Sequence, residues 1–281
     1  MCRLTREDRV ALHMSLKTSP PTEVGTSGVG ASLEGRLQRE KEFHDRAFSE
    51  RTRAPVDKFY SIAGGCWHAY TNALLNECQG KRVLEYGCGP GSSAFQLREH
   101  GAQVIGIDIS EVAIQQAKAI AEQSPTASTI TFRVMNAEDL QFPDRDFDMV
   151  CGSCILHHLN LERSLTEISR VLRESGKAVF VEPLGHNPLI NLYRRLTPNL
   201  RTEDEHPLLD RDLTLIRHYF GKVQITYFHL LSLCAMPFRK TSAFDRILKM
   251  FDAMDRMLFT VPVVRKQAWL VVMELSEPRK A

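Results

Sequence analysis

The sequence predicts an α/β fold: a doubly wound seven-stranded sheet with a helical N-terminal extension and a helical lid insertion. Three observations carry this expectation. Short apolar runs alternate with helix-period segments from residue 82 onward. A glycine-rich turn, Gly87-Cys88-Gly89-Pro90-Gly91, joins the first run to a helix, and an acidic residue, Asp108, ends the second run. Strands and helices alternating at this spacing form a parallel sheet, whose ligands sit beyond the carboxyl ends of the strands.

The elements follow in order. Residues 82–86 form the first strand, residues 92–99 a helix, and residues 103–107 a second strand ending on Asp108. Ser110 is the expected N-cap of the next helix, with Val112, Ile114, Ala117, Ile120 and Ala121 on its buried side. Strands at 130–134 and 147–151 precede a helix at 161–172, closed by Gly176, and a fifth strand at 177–181. Residues 183–206 break the alternation with a helix at 189–196 between Pro188 and Pro198. A helix at 211–219 and a strand at 223–228 resume the core. A long helix follows, with Phe244, Ile247, Leu248, Phe251, Met254 and Leu258 on one face and Asp245, Lys249, Asp252 and Arg256 turned away. Residues 268–275 supply the last strand.

Upstream, residues 18–32 are rich in Pro, Gly, Ser and Thr without a period and read as a linker. Residues 5–16 read as a frayed tail or a short helix. From Gly35 to Asn76 the pattern is helical, anchored by Leu37, Phe43, Phe48, Trp67, Tyr70, Leu74 and Leu75. The expected organisation is a tail at 1–34, a helical cap at 35–80, and a core at 81–281 with its lid at about 183–210.

Composition narrows the function. With 281 residues, 43% of them hydrophobic and 25% charged, the chain has material for a sizeable core. A net charge of +2 with scattered basic residues gives no basis for a nucleic-acid partner. No apolar run reaches the roughly 18–20 residues that a membrane helix needs. The charged start, Arg3, Arg6, Glu7 and Asp8, is unlike a signal peptide, and seven irregularly spaced cysteines suit reduced thiols. A cytoplasmic protein is expected, with a homo-oligomer left open.

The glycine turn has a chemistry of its own. Without Cβ atoms the backbone can turn sharply and approach a ligand, and the following helix offers unpaired N–H groups. Asp108 stands where a carboxylate accepts both hydroxyls of a ribose. Glu85, just before the glycines, suits the cationic end of a ligand or a network around it. The G-x-G-x-G spacing differs from the G-x-G-x-x-G of dinucleotide loops.

The stretches VLEYGCGPG, VIGIDIS and NAEDLQFPDRDFDMVCGSCILHHL resemble the successive motifs of class I S-adenosylmethionine (SAM)-dependent methyltransferases, and most nearly those of the small-molecule group called methyltransferase type 11. The resemblance is strong over residues 81–182. It implies a Rossmann-like sheet whose last strand is antiparallel, with SAM as co-substrate. It further implies that Glu85, Gly87, Gly89 and Gly91 hold the methionine part, Asp108 the ribose, and Ile109 the adenine face. Asn136, Ala137 and Glu138 fall along the adenine edge, Cys151 and Ser153 near the reactive methyl, and Tyr60 where an aromatic residue closes over SAM. The tract at 182–208 resembles an insertion of bacterial natural-product enzymes, some of which methylate prenylated indole alkaloids at carbon.

His157 and His158, after the fourth strand, and Glu182, ending the fifth, are the candidate acceptor-side groups, able to orient an acceptor or take its proton. Cys151-x-x-Cys154-x-x-His157-His158 has zinc-ligand character. The flanking motif accounts for it without an ion, and no metal is expected. His186, Asp204, Glu205 and His206 are expected to pair with Arg194, Arg195 or Arg201 within the insertion. The apolar Leu189, Ile190, Leu192 and Tyr193, with Phe228, Leu230, Leu231, Leu233, Met236 and Phe238, point to a hydrophobic small-molecule acceptor. The expected activity is therefore methyl transfer to such an acceptor, with carbon, nitrogen or oxygen as the target. An NAD(P)-dependent oxidoreductase and a non-catalytic interaction protein are the alternatives from other classes.

Overall fold

The computed structural model describes residues 33–50, 61–123, 130–197, 202 and 204–280. The linker, the segment before it and Tyr60 lie outside these residues.

Helix α1 (Leu33–Glu50) and helix α2 (Gly64–Leu75) precede strand β1 (Arg82–Tyr86). Then come α3 (Ala94–Glu99), β2 (Gln103–Asp108), α4 (Glu111–Glu122), β3 (Ile130–Val134) and β4 (Phe147–Ser153). A 3-10 turn (Leu156–His158) leads to α5 (Leu161–Val171) and β5 (Leu172–Pro183). The chain ends with α6 (Pro188–Leu196), α7 (Asp210–Tyr219), β6 (Phe220–Phe228), a 3-10 segment (Leu231–Phe238), α8 (Phe244–Leu258), α9 (Pro262–Arg265) and β7 (Leu270–Pro278).

The seven strands form one sheet in the order β3-β2-β1-β4-β5-β7-β6, and β7 runs antiparallel to both neighbours. The sheet reverses its winding between β1 and β4, which places the ligand edge where β1, β2 and β4 end. Side chains alternate across the sheet: Leu84 and Tyr86 enter the core on one face, Val83 and Cys151 the core on the other. Glu85, paired in register with Cys151, follows the second face.

The helix starts have the expected chemistry. Ser110 Oγ accepts the N–H of Ala113 at 3.1 Å, and Ala113, Ile114, Ala117 and Ala121 turn inward. Asn160 caps α5 on Arg163 N–H at 3.1 Å, and Asn187 caps α6 on the N–H groups of Leu189 and Ile190.

Three expectations need correction. Gly176 does not close a helix: α5 gives way at Leu172, and residues 173–176 loop out between the pairs Phe147–Leu172 and Met149–Lys177. A Cβ at Gly176 would lie 2.9 Å from the Arg173 carbonyl oxygen, so the bulge itself requires glycine. In α8, Met254 is exposed and Asp255 is the buried residue. Its carboxylate accepts the N–H groups of Leu230, Leu231 and Ser232 at 3.0, 2.7 and 3.1 Å, satisfying the start of the preceding 3-10 segment. In α6, Ile190 is buried while Leu189, Leu192 and Leu196 face outward.

Candidate functional site

The three loop glycines all have positive φ, +67° at Gly87, +52° at Gly89 and +97° at Gly91. A Cβ would meet the Ile155 side chain at 2.7 Å from Gly87 and Phe95 at 2.6 Å from Gly91. Both the backbone conformation and the available space therefore demand glycine. Asp108 joins the loop to the next strand: Oδ2 accepts Gly89 N–H at 2.8 Å and Oδ1 accepts Ser110 N–H at 2.9 Å. An ionised carboxylate has about four acceptor positions, so these bonds leave it room to bind more donors.

Glu85 serves the same loop from below. Its carboxylate accepts Ser93 N–H at 2.6 Å and Ala94 N–H at 2.9 Å, capping α3. It is fully enclosed, and burial raises its carboxyl to about 7 against the opposing pull of those two N–H groups. Cys151 lies opposite it in the dry core. Its immediate role is packing, and burial pushes its thiol well up. Ile109 and Ser153 are half-buried, beside Asp108 and at the end of β4.

The 136–138 turn is built by its own side chains. Asn136 Oδ1 accepts Glu138 N–H at 2.9 Å, and the Ala137 carbonyl accepts the Tyr86 hydroxyl. Glu138 is buried; its Oε1 accepts Asn160 N–H at 2.7 Å and pairs with Arg36. Its Oε2 is buried without a hydrogen-bond partner.

Glu182 organises the turn after β4. Oε1 accepts the N–H groups of Ile155 and Leu156 at 2.9 and 2.8 Å, and Oε2 lies 2.7 Å from His157 Nδ1. Burial raises its carboxyl to about 7. Both Glu182 oxygens are thus engaged within the turn. Burial lowers the His158 imidazole to about 4, which keeps it neutral at pH 7. His206 N–H bonds the His157 carbonyl at 2.9 Å, so the return of the insertion closes over this turn.

The helical cap was expected, and what sequence reasoning missed is where its first helix, α1, docks. Lying across the ligand edge, it contacts the glycine loop, the start of α4, Glu138 and the turn after β4. Phe48 reaches to 3.3 Å of a Cβ position on Gly89. Asp45 Oδ1 accepts the Ser110 hydroxyl at 2.5 Å, and Arg36 bonds both Glu138 and the His158 carbonyl. Arg39 forks onto Asp204, which corrects the expectation that Asp204 pairs within the insertion. His186 instead faces Asp210, at 3.8 Å. The apolar anchors expected on α1, Leu37, Phe43 and Phe48, are only half-buried, whereas Glu40 is buried. The one available signal was the density of charge in RLQREKEFHDR, which reads equally well as a solvated face.

Among the described residues the groups with metal-ligand proximity are Glu40–His44–His158 and His157–His158–Glu205, and neither includes a cysteine.

This strand order, with a glycine loop after β1 and an acid ending β2, defines a class I SAM-dependent methyltransferase fold. Residues 84–180, about a third of the chain, match the family model described as "Methyltransferase domain". The chain is 34% identical over 112 residues to the "O-methyltransferase resE" of Aspergillus sclerotiorum. That match covers 39% of this chain and 42% of the relative, so less than half of the relative's length is spanned. Solved structures share the fold at low identity. The geranyl diphosphate C-methyltransferase from Streptomyces coelicolor A3(2), in complex with Mg2+, geranyl diphosphate and S-adenosyl-L-homocysteine, has a TM-score of 0.54 at 14% identity. It covers 75% of this chain and 79% of its own. The [4+2]-cyclase SpnF has a TM-score of 0.55 at 17% identity, covering 90% of this chain and 99% of its own.

Proposed function

We propose that this protein transfers the methyl group of SAM to a hydrophobic small molecule. The observation that carries the reading is the Asp108–Gly89 bond inside a loop of three positive-φ glycines, within the matched residues 84–180. SAM, when bound, supplies an electrophilic methyl on a sulfonium.

The chain's residues suit that ligand. Asp108 would take the ribose hydroxyls on its remaining acceptor positions. The glycine loop, with Glu85 bracing α3 beneath it, would hold the methionine part. Ile109 would pack on the adenine, and the unpartnered Glu138 Oε2 would accept a donor from its edge. Ser153 would face the acceptor side. Helix α1 would exclude water, which strengthens polar contacts in the site.

On the acceptor side, His157 is the group we assign to orienting or deprotonating the acceptor, because Glu182 fixes its Nδ1. Glu182 and His158 support it. The outward Leu189, Leu192 and Leu196 of the insertion favour an apolar acceptor, and the O-methyltransferase relative makes oxygen the first atom to test. Carbon methylation of a prenylated or indole substrate is the finer alternative. The likeness to a [4+2]-cyclase over 90% of the chain motivates a second reading, in which the fold hosts a reaction without methyl transfer.

Calorimetry with SAM, S-adenosylhomocysteine and NAD tests the donor: the first two should bind and NAD should not. Tight NAD binding without SAM binding would overturn the proposal. Turnover of phenols and prenylated indoles, read as S-adenosylhomocysteine release and a methylated product, separates methyl transfer from the second reading. His157→Ala should lose turnover while retaining SAM affinity.

A further inference from the structure

Glu40 and His44 stand four residues apart on α1 and so share one helix face. That face meets the turn after β4 at His158. His158 Nδ1 lies 3.3 Å and His44 Nε2 3.5 Å from the same oxygen, Glu40 Oε2. None of these approaches has hydrogen-bond geometry: both Glu40 oxygens and His158 Nδ1 are buried without a hydrogen-bond partner. Glu40 is 4% exposed and His158 6%. The groups that face this carboxylate are the two imidazoles and the Thr202 side chain, and a buried carboxylate is costly unless well-placed donors or a cation sit against it. Arg36 and Arg39, on the same helix, pair elsewhere, with Glu138 and Asp204.

The donor spacing matches metal chelation. Ligand atoms about 2.0–2.1 Å from a tetrahedral ion lie about 3.3 Å apart. Two imidazoles and one carboxylate favour a borderline transition metal over Mg2+ or Ca2+, which prefer oxygen ligands. Three protein ligands leave a further coordination position for water or another oxygen. His157, His158 and Glu205 also bring one donor atom each to within 4.8 Å of one another, placing a second carboxylate nearby.

We propose that Glu40, His44 and His158 form a Zn2+-type divalent metal site that clasps α1 to the turn after β4. Two of its ligands come from the helix over the ligand edge and one from the turn after β4, so occupancy of the site sets how firmly that edge is covered. The site stands independently of the methyl-transfer reading.

The test uses full-length protein stripped with a chelator and dialysed, then titrated with Zn2+ by calorimetry and with Co2+ by absorbance. One equivalent of Zn2+ should bind, and excess Mg2+ should not compete. Glu40→Gln and His44→Ala should each weaken binding by at least about tenfold, since even supporting residues of metal sites carry that much. The cobalt spectrum should lack thiolate charge transfer, and Cys234→Ser, which removes the exposed thiol among the described residues, should bind as the parent does. Hydrogen exchange on unaltered protein guards against variants that fail to fold, and added Zn2+ should slow exchange in residues 36–48. Absence of binding, binding unchanged in both variants, a thiolate signature, or no effect of Zn2+ on α1 exchange would each overturn the site.

Discussion

Helix α1 lies against α4 and the glycine loop, helix α2 against β5 and β7, and different forces hold them. α2 buries Cys66, Tyr70 and Leu74 in a dry core shared with Val83, Leu97 and Val104. α1 docks through Arg36, Arg39, Glu40, Lys41 and Asp45, with only Ala47 and Glu40 buried among its described side chains. Apolar burial is non-directional and has no charge to screen or titrate, so α2 belongs to the permanent fold. Charge-mediated docking is directional and responds to ligands, metals, pH and ionic strength, as a cover that must admit a substrate should.

The largest effect should come from the dry side. Leu74→Ala removes a side chain only 2% exposed and should cost about 2–5 kcal/mol in urea unfolding. The matching change on α1, Leu37→Ala, should cost less than about 1 kcal/mol. Equal costs would erase the distinction between the two helices.

Glu85, beneath α2, sharpens the comparison through pH. Its carboxyl is raised by burial from 4.5 to about 7, so between these values the folded chain binds more protons than the unfolded one. Its share of stability is therefore complete below about 4.5 and lost as pH rises through about 7. Relative to Glu85→Gln, the wild type should lose roughly 1–3 kcal/mol of stability from pH 4.5 to 8, read from denaturant curves. A pH-independent difference would mean that the capping N–H groups offset burial.

Arg36→Ala should act on α1 alone. It strips the charged partner from buried Glu138, which keeps its Asn160 N–H, and a donor from the His158 carbonyl, and should cost about 1–2 kcal/mol. Hydrogen exchange should accelerate in residues 33–50 and leave β1, β4 and β5 unchanged. The smallest effect is that of salt. Raising NaCl from about 0.05 to 0.5 M shortens the screening length severalfold and should speed exchange in α1 but not in α2.

The core and the docked helix also differ in how legible they were from sequence. The strand order around β1, β2 and β4 follows from the alternation of apolar runs with capped helices, and Ser110 announced its helix because a hydroxyl there has one obvious use. The glycine loop was equally open, since G-x-G-x-G with Asp108 beyond it has few other physical explanations. Glu85 was seen as functional from its position, but its bonds to Ser93 and Ala94 depend on how α3 is seated. Gly176 was misplaced because a bulge and a helix stop both call for glycine. α1 was misread for a deeper reason. Hydrophobic periodicity finds faces that leave water for apolar neighbours, whereas Glu40 and His44 meet His158 and Asp45 meets Ser110 more than sixty residues away in sequence. No local pattern distinguishes such a face from one that is merely solvated.

The central claim is that the ligand edge bounded by the glycine loop and Asp108 is a SAM site covered by α1. Hydrogen exchange with and without S-adenosylhomocysteine tests it most directly, with Asp108→Ala as the control. The ligand should slow exchange at residues 87–91, 108–112 and 36–48, leave β6 and α7 unchanged, and lose about 1.5–3 kcal/mol of affinity in the variant. Protection of the glycine loop with no change in residues 36–48, or no protection at the loop, would contradict the account.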